Sequence, residues 1–129
     1  MEAFWQSYVE PVHAPAFSRT EEAIDGGRVV MALQGELDML VCPTLALRFH
    51  ELAEEGTHDV VVDLNDVRFI DTQALSTLVS AQQELEDHER RLAIVAESAY
   101  ARRTLELTGL DATLRLARSC DEAIARLGG

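Results

Sequence analysis

The spacing of apolar residues changes period along the chain, and the sharpest change falls between residues 60 and 85. Val60-Val61-Val62-Asp63-Leu64 puts three β-branched residues and a leucine almost in succession. Such a run predicts a strand covered on both faces, as parallel strands are in α/β domains. From Leu75 onward the apolar residues recur as Leu78, Val79 and Leu85. That 3.6-residue stripe predicts a helix ending near His88. The polar residues after Leu64 read as a short connection, so the strand-to-helix turn falls at Asp71-Thr72 and places a hydroxyl at a helix start.

The flanking segments repeat the alternation. Ala16 to Glu22 suits a short edge strand, and Asp25-Gly26-Gly27 is a turn signal before Arg28-Val29-Val30-Met31-Ala32-Leu33, so the chain opens with a hairpin. Pro43 suits the first turn of a helix striped by Leu45, Phe49, Leu52 and Ala53 and ending near Gly56. Leu92-Ala93-Ile94-Val95 predicts a buried strand, and Ala99 to Thr108 a helix closed by Gly109. Thr113 to Leu116 reads as a last short strand, and Asp121 to Leu127 as a helix capped by Ser119 or Asp121. A hairpin followed by βα units, with about four helices and a mixed, mostly parallel sheet, is a single α/β domain. Residues 1–15 stand apart, because Phe4, Trp5 and Tyr8 lie between no regular period and two prolines. They read either as a partly ordered extension or as an aromatic segment for partner binding or homodimerisation.

Charge narrows the function. Eleven basic residues, all arginine, against 23 acidic ones give a net charge of −12, which disfavours nucleic acid and anionic bilayers as partners. Arg90-Arg91 and Arg102-Arg103 are the paired arginines and read as solvated helix ends or faces. The sequence has neither a run of eighteen apolar residues nor a leader pattern, so a cytoplasmic protein without membrane insertion is expected. Cys42 and Cys120 form no CxxC pair and read as reduced, packed thiols.

Catalytic signatures are weak. There is no GxxxxGK[ST] or GxGxxG loop and no lysine, which excludes Walker-type hydrolysis. His50 and Glu54 have i,i+4 spacing, but two ligands do not make a metal site. Glu36 and Asp38 lack a partner base and read as turn formers. The expectation is a non-enzyme without cofactor or metal. Asp71-Thr72 remains, at the carboxyl end of the most apolar strand, where α/β domains place their sites. A helix N-cap would account for one of these residues.

Three segments carry a family resemblance. Phe69-Ile70-Asp71-Thr72-Gln73-Ala74-Leu75 resembles the signature of STAS domains, the bacterial anti-sigma factor antagonists, whose usual form is an apolar or aromatic pair and then Asp-Ser-Ser-Gly-Leu. Gly35-Glu36-Leu37-Asp38 matches the family's Gly-Glu-Leu-Asp after the second strand, and Arg103 to Leu110 resembles its closing helix and Gly-Leu. The resemblance spans roughly Ala16 to Leu127, so residues 16–129 would form a STAS-like domain. It implies phosphorylation of Thr72 by an anti-sigma factor that is also a serine kinase, reset by a PPM-type phosphatase. Glu36, Asp38, Asp71, Thr72, Gln73 and Ala74 would then meet the partner. Gln73 stands where the family has a second serine, and Ala74 where it has glycine. Other branches are unphosphorylated scaffolds or subunits of signalling and lipid-transport complexes, which is the alternative expectation.

Overall fold

The computed structural model describes residues 17–24, 27–56 and 58–127; the readings made for residues 1–15 lie outside them. In chain order the elements are β1 (Phe17–Ile24), β2 (Arg28–Leu37), α1 (Cys42–Glu55), β3 (Val60–Ile70), α2 (Thr72–Asp87), β4 (Leu92–Val95), α3 (Ala99–Leu107), β5 (Leu116–Ala117) and α4 (Cys120–Arg126). The strands form one sheet in the order β1-β2-β3-β4-β5. β1 and β2 are an antiparallel hairpin and every later pairing is parallel. The expected architecture of a hairpin followed by βα units is the one observed.

The period-two geometry of the strands divides the apolar residues between two cores. Val60, Val62 and Leu64 face one way and join Leu45, Phe49, Leu78, Leu85 and Leu105 from α1, α2 and α3. Val61, Ala93 and Val95 face the other way and meet Ala123 and Leu127, from α4 and just beyond it. Three successive valines are therefore buried because helices cover both faces at that level of the sheet.

β3 is longer than the apolar run suggests: it continues through Asn65 to Ile70 instead of ending at Leu64. Its second half is mixed in exposure, with Val67 and Ile70 buried and Asp66, Arg68 and Phe69 exposed, and of β3 only Val61 joins the core formed with Ala123 and Leu127. Polar residues on an open face were the reason for reading a connection there. This half stays extended because β2 pairs with it as far as Leu37↔Ile70, across two register shifts. Gly35 lies at the second shift with φ 93°, a left-handed conformation that favours glycine.

Other departures are local. Thr113 and Leu114 lie in turns closed by Thr113 N–H to Leu110 O and Leu114 N–H to Leu110 O, so β5 begins only at Leu116. Leu114 is nevertheless buried, which is why it resembled a strand residue. The two cysteines are half-buried free thiols. Arg90 is not a solvated helix end: it is 8% exposed, and its guanidinium donates to the Leu52 and Ala53 carbonyls at the end of α1. Arg91 is held by Asp59, whose Oδ1 accepts from the Arg91 backbone N–H at 2.8 Å.

The edge strand β1 is tied to α1 by a fork. Arg48 Nε and Nη2 donate to Glu21 Oε2 and Oε1 at 2.8 and 2.7 Å. Its hydrogen bonds hold the Glu21 carboxyl below its ordinary value of 4.5. A depressed carboxylate adds stability that is complete above the unfolded value and is lost as pH falls through the lower folded one. Urea midpoints should therefore show wild type ahead of Glu21→Gln by a constant margin above about pH 5, with the margin shrinking as pH falls below 4.5. A margin independent of pH would rule out this linkage.

Candidate functional site

The carboxyl ends of β2 and β3 meet at one hydrogen bond, Asp71 N–H to Leu37 O at 3.0 Å. This brings the segment after β2 and the start of α2 to the same edge of the sheet. Beyond Asp63, β4 no longer pairs with β3, so the free side of β3 is secured by side chains. Asn65 Oδ1 accepts from the N–H groups of Glu97 and Ser98 at 2.8 and 3.1 Å. The Tyr100 hydroxyl accepts from Ile70 N–H at 2.8 Å. These bonds fix the strand immediately before the turn, so the turn is presented on a rigid base.

Asp71 is the N-cap of α2. Its backbone is extended, and its Oδ1 accepts from Ala74 N–H at 2.9 Å while its carbonyl accepts from Leu75 N–H at 3.0 Å. A single residue thus performs the capping that either Asp71 or Thr72 could have supplied. Thr72 is released from that task. It is the first residue of the helix and exposed, and no hydrogen bond to its hydroxyl occurs among the described residues. Removing the cap by Asp71→Ala should lower stability by about 1 kcal/mol, whereas Asp71→Asn should cost only a few tenths. Denaturant melts of the two variants check this; equal losses would show that the charge, not the cap, matters.

The other expected residues are distributed around this turn. Asp38 is half-buried; its Oδ1 accepts from Leu40 N–H at 3.0 Å, and its carbonyl accepts from Val41 N–H at 3.1 Å. That bonding forms a tight turn into α1. Glu36 is exposed on β2, in register with Phe69. Gln73 is exposed beside Thr72. Ala74 must be corrected: its side chain is 1% exposed and belongs to the core, because the third position after the cap points inward. Its share in the site is the N–H held by Asp71.

Sequence reasoning missed the apolar members. Met39, Leu40 and Phe69 are 63%, 72% and 47% exposed and occur at the same end of the sheet as Asp38 and Asp71. Exposed apolar side chains beside carboxylates are the makings of a protein interface rather than a catalytic cleft. A signal was available, since Met39-Leu40 is an apolar pair inside a turn, where polar residues are usual.

Comparison with known proteins fits this geometry. The STAS domain model matches residues 19–123. The chain belongs to the STAS domain family. Among similar proteins, the anti-sigma-F factor antagonist RsfB of Mycobacterium tuberculosis is 26% identical over 116 residues, covering 90% of this chain and 94% of that protein. An anti-sigma factor antagonist from Mycobacterium paratuberculosis, known as a crystal structure, superposes with a TM-score of 0.78 at 27% identity over 88% of this chain and 95% of that one. The Bacillus cell fate determinant SpoIIAA, solved in its phosphorylated form, shares the fold with a TM-score of 0.65 at 22% identity, covering 84% of this chain and 98% of that one. Among the described residues, no helix of this STAS domain is long and apolar enough to cross a membrane.

Proposed function

We propose that this STAS domain is an anti-sigma factor antagonist that binds its anti-sigma factor through the edge formed by Glu36, Asp38, Met39, Leu40, Phe69, Asp71, Thr72 and Gln73, and that phosphorylation of Thr72 turns the binding off. The observation that carries the reading is the division of labour at the turn: Asp71 alone caps α2, leaving an exposed hydroxyl at the end of the sheet where Met39, Leu40 and Phe69 are also exposed. The relatives named as anti-sigma factor antagonists support the partner class, and they describe regulators rather than enzymes. The kinase would be the anti-sigma factor itself, and a PPM-type phosphatase would restore the hydroxyl.

The chemistry is consistent with a switch of binding and not of folding. A phosphothreonine adds about −1.5 to −2 charge at neutral pH. At the first position of a 16-residue helix that charge is favoured by the backbone N–H groups and the macrodipole. The cost appears when a partner covers the site.

Incubation with the cognate anti-sigma factor and ATP, followed by intact-mass measurement, tests the assignment. Wild type should gain one phosphate and Thr72→Ala none. Phosphate uptake by the alanine variant would overturn the site. Capture of the partner with no uptake by wild type would favour the alternative of an unphosphorylated scaffold or transport-complex subunit.

A further inference from the structure

Away from the Thr72 edge, two matching pairs face one another: His50 and Glu54 on α1, and Glu84 near the end of α2 with His88 at its C-cap. Each pair has i,i+4 spacing and so lies on one helical face. His50 Nδ1 is 2.5 Å from Glu84 Oε2, and His88 Nε2 is 3.5 Å from Glu54 Oε1. The ligating atoms of His50, Glu54 and Glu84 all lie within 4.8 Å of one another. A tetrahedral zinc with bonds of about 2.0–2.1 Å separates its ligands by roughly 3.3 Å. The half-exposed side chains of His50, Glu54 and Glu84 can make that adjustment by rotation, while His88 stands outside this group and joins it through Nε2, 3.5 Å from Glu54 Oε1.

The tautomer of His88 strengthens the case. Its Nδ1 lies 2.9 Å from the Glu84 carbonyl, a bond in which Nδ1–H is the donor. Nε2, the ring nitrogen not committed to the backbone, therefore faces the Glu54 carboxylate. A backbone-bound Nδ1–H with a free Nε2 is also how metal-ligating histidines are oriented.

We propose that His50, Glu54, Glu84 and His88 form a binding site for one first-row transition-metal ion of the zinc class, clasping α1 to α2. Two imidazoles with two carboxylates select zinc, cobalt or nickel over magnesium and calcium, which favour all-oxygen sets. The ion would offset the negative charge of the Glu54 and Glu84 carboxylates. The site is independent of the Thr72 switch, and its failure would leave that reading untouched.

Untagged protein, stripped with chelator and dialysed, is titrated with Zn²⁺ and separately with Co²⁺ and Mg²⁺. Expected results are one equivalent of Zn²⁺ bound, a visible Co²⁺ absorption displaced by Zn²⁺, and no saturable response to Mg²⁺. Zinc at a hundredfold excess over its Kd should raise Tm by roughly 10 °C. His50→Ala and His88→Ala should each weaken binding at least about tenfold, and Glu54→Gln should do so to a lesser degree. These positions are exposed, so Tm without metal should stay near that of wild type. Absence of saturable zinc binding overturns the proposal. So does undiminished affinity in the His50→Ala/His88→Ala double variant, or affinity lost instead in Cys42→Ala/Cys120→Ala.

Discussion

Phosphorylation of Thr72 is expected to weaken binding of the anti-sigma partner about a hundredfold while leaving Tm within a few degrees. The estimate rests on the surroundings of the hydroxyl. Asp71 is adjacent and Asp38 shares the edge, so the new charge enters an acidic neighbourhood. At about 5 Å and an effective dielectric of about 20, each unit pair costs on the order of 3 kcal/mol, less where solvent screens it. Against solvent the penalty is relieved; under a partner seated on Met39, Leu40 and Phe69 it is not, and the phosphate must also lose water. A net 2.7 kcal/mol is a hundredfold in Kd. Thr72→Glu, with one charge and a shorter reach, should lose about tenfold. Calorimetry with unmodified, phosphorylated and Thr72→Glu protein measures all three. Equal affinities for unmodified and phosphorylated protein would sink the switch. A matching loss in Phe69→Ala without phosphate would show that the apolar edge contributes separately.

The elements most legible in the sequence were those governed by local rules. Val60–Leu64 and Leu92–Val95 were readable because both faces of the sheet are covered there, so every position but Asp63 is apolar. The turn at Asp71 was readable because capping is a contact between residues three apart. Legibility failed where long-range contacts decide. The second half of β3 is polar on its open face, and only pairing with β2 keeps it extended. At Thr113-Leu114, burial was mistaken for strand geometry. In the site, spacing identified the carboxylates and the hydroxyl but could not distinguish an inward Ala74 from an outward Gln73. Nor could it show that Met39, Leu40 and Phe69 share one end of the sheet, which depends on the bond from Asp71 N–H to Leu37 O.

Arg90 shows the same limit most strongly, and Arg90→Ala is expected to be the most destabilising of the substitutions considered, by about 2–4 kcal/mol. Helix α1 ends with no basic residue in its last turn, so its terminal carbonyls must find donors elsewhere. Gly56 N–H reaches Leu52 O at 3.0 Å. The remaining donors come from Arg90, 38 residues along the chain from Leu52, whose Nη1 bonds Leu52 O at 2.8 Å while Nη2 bonds Ala53 O. A buried cation therefore caps the negative end of a helix dipole. Removing it leaves buried carbonyl capacity unsatisfied and opens space beside the Leu52 and Ala53 carbonyls. For a domain of this size the loss corresponds to a fall in Tm of roughly 8–15 °C. Arg90→Met keeps much of the aliphatic stem and separates the two contributions: if hydrogen bonding dominates, it should lose nearly as much as alanine. Gly56→Ala should also be harmful, because a Cβ there would stand 2.6 Å from Leu52 O and 2.9 Å from Arg90 Nη1. Urea midpoints of the three variants provide the comparison, and a change under about 0.5 kcal/mol in Arg90→Ala would mean that water replaces the guanidinium at no cost.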